Sequence, residues 1–163
     1  NKQIRIEAES SQTYLSMACW SEVNGLEGIA QFMYAQSDEE RLHMLKLIKY
    51  VNERGGHAQI TDLAAPNTSY ATFKNMFEAL YTHELFVSNS INELVHITFE
   101  EKDYATHNFL QWYVAEQIEE EASAKNILDK INLIGDDKGG LYLFDRDIQQ
   151  IAVVNAAAAT AAK

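Results

Sequence analysis

Asp38-Glu39-Glu40-Arg41-Leu42-His43-Met44 is the stretch on which the reading of this chain turns. It lies inside a run in which Ile29, Met33, Gln36, Glu40, His43, Leu47 and Tyr50 succeed one another at alternating steps of four and three. That spacing predicts a long helix with one core-facing stripe. Glu40 and His43 are three apart, so a carboxylate and an imidazole fall one turn apart on the apolar face. Burying a charged carboxylate without a partner is very costly, so something must compensate it. A metal ion is the obvious candidate, because Glu-x-x-His on a helix builds metal into the core of a helical bundle. One such pair is a weak signal, since a buried His is more often a hydrogen-bonded core residue than a ligand. The rest of the chain must supply matching ligands.

Composition narrows the choice. The 163 residues suffice for one domain with a full hydrophobic core. Seven Gly and one Pro favour long uninterrupted helices. A net charge of −11 suits cations as partners and argues against nucleic acid or an anionic membrane surface. Cys19 is the only cysteine, which excludes an intrachain disulfide and a Cys-x-x-Cys metal site and fits a reducing cytoplasm. No apolar run approaches the ~20 residues that a membrane span needs. No signal peptide is visible, and the missing initiator Met leaves the true start open.

Working outward, residues 1 to about 23 read as a first helix with Ile4, Glu7, Ser11, Tyr14 and Ala18 on one stripe. Asn24-Gly25 should end it, and so short a link makes the second helix antiparallel. The second helix spans about Leu26 to Arg54 and stops at Gly55-Gly56. Residues 55–69 show little periodicity. A helix of about 28 residues is ~42 Å long, and fifteen extended residues reach ~50 Å. This connection can therefore run the length of a bundle and start a third helix parallel to the second. The third helix covers about Thr72 to Glu101, with Phe73, Phe77, Leu80, Glu84, Val87, Ile91 and Leu94 on its stripe. The fourth covers about Tyr104 to Ile134, with Leu110, Tyr113, Gln117, Glu120, Ala124, Ile127, Ile131 and Ile134. Asp136 to Gly140 reads as a turn, and a short Ala-rich fifth helix is expected over about 145–162, with Asp147 near its N-terminus. The whole is an all-α chain: a single domain over 1–163, with a four-helix bundle over 1–135, one long crossover and a short fifth helix. The apolar Ile148, Ile151, Val153 and Val154 exceed what one bundle can bury, which points to a large closed homo-oligomer.

Each of the four long helices carries a polar interruption near the middle of its stripe: Glu7; Glu40 and His43; Glu84; Gln117 and Glu120. In an antiparallel bundle the helix middles meet at one level, and carboxylates gathered there repel unless cations lie between them. An oxygen-rich set with one imidazole suits iron or manganese, with zinc able to compete. Glu40 and Glu84 are the best placed to bridge two ions.

These residues, together with Tyr81-Thr82-His83-Glu84, the run Asn108-Phe109-Leu110-Gln111-Trp112-Tyr113-Val114-Ala115-Glu116-Gln117-Ile118-Glu119-Glu120-Glu121 and Gly140-Leu141-Tyr142, resemble a bacterial non-haem ferritin over nearly the whole chain. The resemblance implies a ferritin-like fold, oxidation of Fe(II) by dioxygen or hydrogen peroxide at a di-iron ferroxidase centre, and storage of ferric mineral in a cage of twenty-four subunits. It implies that Glu7, Glu40 and His43 hold the first iron, and that Glu40, Glu84 and Glu120, with Gln117 near, hold the second. Glu39, Glu116 and Glu119 would then form a third, cavity-side iron site, and Tyr14 and Trp112 would stand beside the centre as electron donors. For those two aromatics plain core packing is an equal reading; for the three glutamates the residues alone suggest a solvated acidic face. Bacterioferritins resemble the same bundle but place a Met where Arg41 stands and repeat Glu-x-x-His where this chain has Gln117-x-x-Glu120, so no haem is expected. The alternatives are a di-iron oxidase or peroxidase that stores nothing, and an interaction protein without metal.

Overall fold

The first helix, α1 (Lys2–Val23), stops where expected, and the way it stops sets the direction of the next. Gly25 adopts φ +72°. Its N–H donates to the Glu22 carbonyl at 3.0 Å, and the N–H of Leu26 reaches back to Ser21 at 3.0 Å. This is a Schellman closure, which needs a left-handed residue that glycine adopts without a Cβ clash. The second helix, α2 (Glu27–Glu53), therefore returns alongside α1. The computed structural model describes the backbone of residues 1–161 and the side chains of residues 1–150. All regular structure among the described residues is helical: α3 is Phe73–Glu100, α4 is Tyr104–Ile134 and α5 is Lys138–Ala161. The chain divides into two compact units, Asn1–Phe73 with Ile134–Lys163, and Lys74–Leu133.

In the first unit, α1 and α2 bury Ile4, Tyr14, Met17 and Ala18 from one helix and Ile29, Phe32, Met33 and Leu47 from the other. Burial of each large side chain contributes about 1.5–3 kcal/mol. Ser11 and Ser37 stitch the pair at mid-length: each hydroxyl donates to the other's carbonyl at 2.8 Å. No buried hydroxyl is left unsatisfied there, and two small side chains let the helices approach closely.

The connection between α2 and α3 runs along α1. Gln59 N–H donates to Asn1 Oδ1 at 2.9 Å, and Ala64 N–H to Glu9 Oε1 at 3.3 Å. Ser16 Oγ donates to the Asn67 carbonyl at 2.8 Å, and Tyr70 sits edge-on to Trp20 with ring centroids 5.7 Å apart. Both sequences ascend together, so the crossover parallels α1 from its first residue to its last turns, as the length argument requires.

The fifth helix begins earlier than the sequence reading placed it. Asp137 accepts from the N–H groups of Gly139 and Gly140 at 3.2 and 2.9 Å and so caps α5. The Asp-Asp-Lys-Gly-Gly stretch is thus the cap and first turn of a helix, not a free turn, and Asp147 lies well inside it, paired with Arg146 at 2.8 Å. Ile148 is buried within its own chain, which corrects the expectation that it needs a neighbouring subunit. Ile151, Val153 and Val154, named with it, lie outside the residues whose side chains are described.

α5 packs on the start of α2. Leu26, the N-cap of α2, makes no side-chain cap. Asp145 supplies it instead: Oδ2 accepts from Gly28 N–H at 3.2 Å and Oδ1 from Ile29 N–H at 2.9 Å. Gly28 is required by this approach, since a Cβ there would stand 1.7 Å from the Asp145 carbonyl oxygen.

In the second unit, α3 closes on Lys102 with φ 57°, a left-handed residue that is not glycine. Lys102 N–H reaches Phe99 at 3.2 Å and Asp103 N–H reaches Thr98 at 2.9 Å, the same Schellman pattern. Asp103 then caps α4 by accepting from Thr106 N–H at 3.1 Å. α3 buries Met76, Phe77, Leu80, Val87 and Ile91, and α4 buries Leu110, Tyr113, Ala124, Ile127 and Ile131. No helix among the described residues is long and apolar enough to cross a membrane.

Candidate metal centre

In the first unit the helical spacing does what it promised. Glu7 from α1 and Glu40 and His43 from α2 are buried, with 1, 1 and 3% of their surfaces exposed. One ligand atom from each lies within 4.8 Å of the others. Gln3, one turn before Glu7, donates from Nε2 to Glu7 Oε1 at 2.8 Å and fixes that carboxylate. The other oxygen, Oε2, is buried with no hydrogen-bond donor. Burial pushes the Glu7 carboxyl above the usual range, while contact with Glu40 and the Gln3 amide pull it partly back. Such a pair of carboxyls must share a proton or take a cation.

His43 Nδ1 stands 3.6 Å from Glu40 Oε2. Burial first, and the charge of Lys46 second, lower His43 from 6.5 to about 4. The imidazole is therefore neutral at physiological pH, the form that binds metals. Two carboxylates and a neutral imidazole, converging and desolvated, are a donor set for a divalent first-row cation, and the residues fit one. Tyr14, seven residues after Glu7 on the same stripe, is fully buried. Glu39, next to Glu40, is half-buried.

The second unit holds a polar chain of its own residues. Glu84 on α3 and Gln117 on α4 are buried. Gln117 Nε2 donates to Glu84 Oε2 at 3.2 Å, to the Glu84 carbonyl at 3.4 Å and to Ser88 Oγ at 3.3 Å. Ser88 in turn donates to Glu121 Oε1. Glu120, read from sequence as a core-stripe residue, is only half-buried, as is Glu116, and Glu119 is exposed. Trp112 is half-buried against Tyr113, ring centroids 4.8 Å apart at 89°. The sequence reading missed Gln3, Ser88 and Glu121. Each stands four residues from a named site residue, so helical spacing could have found them.

Comparison with known proteins decides the family. Residues 1–134 match the model of the ferritin-like domain. The chain is 46% identical over 152 residues to a probable bacterial non-haem ferritin-like protein of Haemophilus influenzae, covering 93% of this chain and 92% of that one. This chain belongs to the ferritin family. A bacterial non-haem ferritin of Campylobacter jejuni is 44% identical over 153 residues, covering 94 and 92% of the two chains. An open-pore ferritin of the archaeon Archaeoglobus fulgidus superposes with a TM-score of 0.90 at 44% identity, covering 91 and 92%. The expected fold class, a ferritin-like four-helix bundle with a fifth C-terminal helix, therefore holds for this ferritin.

Proposed function

We propose that this ferritin stores iron, and that each subunit oxidises Fe(II) at a di-iron centre within a single ferritin-like domain. The observation that carries the reading is the buried convergence of Glu7, Glu40 and His43, whose ligand atoms lie within 4.8 Å of one another. Family membership and the similarity to non-haem ferritins support it. Iron is the substrate. Glu7, Glu40 and His43 take the first Fe(II); Glu40, Glu84 and Glu120, with Gln117, take the second. Each Fe(II) gives up one electron, so a pair reduces one dioxygen to hydrogen peroxide with uptake of two protons, or one hydrogen peroxide to two hydroxides. Neutral His43 offers its lone pair without first losing a proton. Glu40 serves both irons and draws them together. Tyr14 and Trp112 are the candidate electron donors beside the centre, and Glu39, Glu116 and Glu119 hold a third iron on the cavity side. Subunits close into a cage of twenty-four, in the cytoplasm and without haem.

Aerobic addition of Fe(II) with light scattering tests this. A particle of cage size that takes up many more than three irons per subunit is expected. A protein that sediments as a monomer at micromolar concentration, or that oxidises iron and retains none, overturns storage. Stoichiometric haem absorbance in the purified protein overturns the haem-free assignment.

A further inference from the structure

The polar chain in the second unit has a direction. A serine hydroxyl carries a single proton, and a carboxylate only accepts. Ser88 gives that proton to Glu121, so toward Gln117 it can act only as an acceptor. Gln117 must then present its amide nitrogen to Ser88, and the same nitrogen reaches Glu84 Oε2 at 3.2 Å. Turning the amide over would set its oxygen against two acceptors at once. Every hydrogen bond of the Gln117 side chain is made by Nε2. The other end of the amide, Oε1, is the end that can bind a metal, because the nitrogen lone pair is delocalised into the carbonyl.

We infer that Glu121, acting through Ser88, is a positioning residue: it fixes the amide of Gln117 so that Oε1 is presented as a ligand while Nε2 holds the Glu84 carboxylate. This rests on the reading that Glu84 and Gln117 serve the second iron. Glu121 touches no metal itself. Its part is to remove the alternative orientation in which Gln117 offers hydrogens to a cation. Ser88 is four residues from Glu84 and Glu121 four from Gln117, so one turn of each helix carries both a ligand and its support.

Anaerobic titration of the assembled protein with Co(II), monitored by visible absorbance, tests this without any oxidation. Wild type should bind two ions per subunit at the centre, in distinguishable steps. Glu121→Ala and Ser88→Ala should each weaken the second step about tenfold, as removal of outer-shell partners of metal ligands does. The first step should be unchanged. The double variant should be no weaker than either single one, since both changes cut one chain. Ser88→Thr, which keeps the hydroxyl, should restore wild-type binding and spectrum. If Glu121→Ala, or Ser88→Ala should the former not assemble, binds both ions with wild-type affinity and spectrum, the inference is wrong and the centre stands. If wild type binds only one Co(II), or if Glu84→Ala leaves both steps intact, the assignment of the second site fails and this inference falls with it.

Discussion

His43 Nδ1 lies 3.6 Å from Glu40 Oε2 in a buried site, and burial has moved the imidazole from 6.5 to about 4. In the unfolded chain His43 takes up a proton near 6.5; in the folded chain it resists until about 4. Its contribution is therefore present above 6.5 and is lost as pH falls through that window, to a limit of roughly 3 kcal/mol. Glu7 works the other way, because its raised pKa gives stability that is present below 4.5 and lost as pH rises through the folded value. Metal-free His43→Gln should show a flatter dependence of Tm on pH between 4 and 6.5 than metal-free wild type. Thermal unfolding in chelator across that range measures it, and equal slopes would refute the argument.

Glu40→Ala removes the carboxylate grouped with Glu7 and His43. Fast Fe(II) oxidation should disappear, by a hundredfold or more in initial rate. Stability of the metal-free protein should rise or fall by less than about 1 kcal/mol, because a costly buried charge has gone. Stopped-flow absorbance and thermal unfolding check the two halves separately. A variant that oxidises iron at the wild-type initial rate would remove Glu40 from the centre.

Replacing Glu39, Glu116 and Glu119 together by Ala should spare the first two irons and alter the later ones. The first fast phase should keep its rate within about twofold, while the iron-to-oxygen ratio or subsequent turnovers change. Stopped-flow absorbance with oxygen uptake reads both. A triple variant equal to wild type through many turnovers would leave these residues as a solvated acidic face.

Gly28→Ala should undock α5 from α2. The new methyl carbon would stand 1.7 Å from a backbone oxygen, so a helix must move, at roughly 1–3 kcal/mol. Asp145→Ala should cost about 1–2 kcal/mol through the lost cap alone. Hydrogen exchange at the Gly28 and Ile29 amides, together with Tm, should show faster exchange in both variants. Unchanged protection in Asp145→Ala would mean the cap is not made in solution.

Lys102→Gly should stabilise the protein. Lys102 holds φ 57°, where a side chain costs about 1 kcal/mol that glycine avoids. Part of that gain is returned as unfolded-state entropy, so a rise of a few degrees at most in Tm is expected, with no change in iron uptake.

The first four helices were legible because each combines an unbroken core stripe with a strong stop signal, and their ends fall within one residue or so of expectation. The burial of Glu7, Glu40, His43 and Glu84 was legible for the same reason: a polar side chain is conspicuous where Leu or Ile is the rule. Glu120 shows the limit of that logic. A stripe gives the direction of a side chain from the helix, not how deeply the neighbouring element covers it. The start of α5 escaped because Gly139-Gly140 reads as a turn, whereas a first helical turn capped by Asp137 tolerates both glycines. The Asp145 cap on α2 could not be seen at all, since it joins residues 116 and 117 positions apart.

The crossover tied to α1 bears on the order in which the chain acquires structure. Its ties at Asn1, Glu9 and Ser16 close loops of 51 to 58 residues, whereas the Ser11–Ser37 stitch closes one of 26. The shorter loop forms at lower entropic cost, so α1 and α2 can pair before the connection has anything to lie on. The connection then orders only on a finished hairpin, and it contributes few buried side chains of its own. It should therefore order last and open first: in a partly denatured population, protease nicks should collect between Gln59 and Tyr70 while the α1–α2 hairpin still survives.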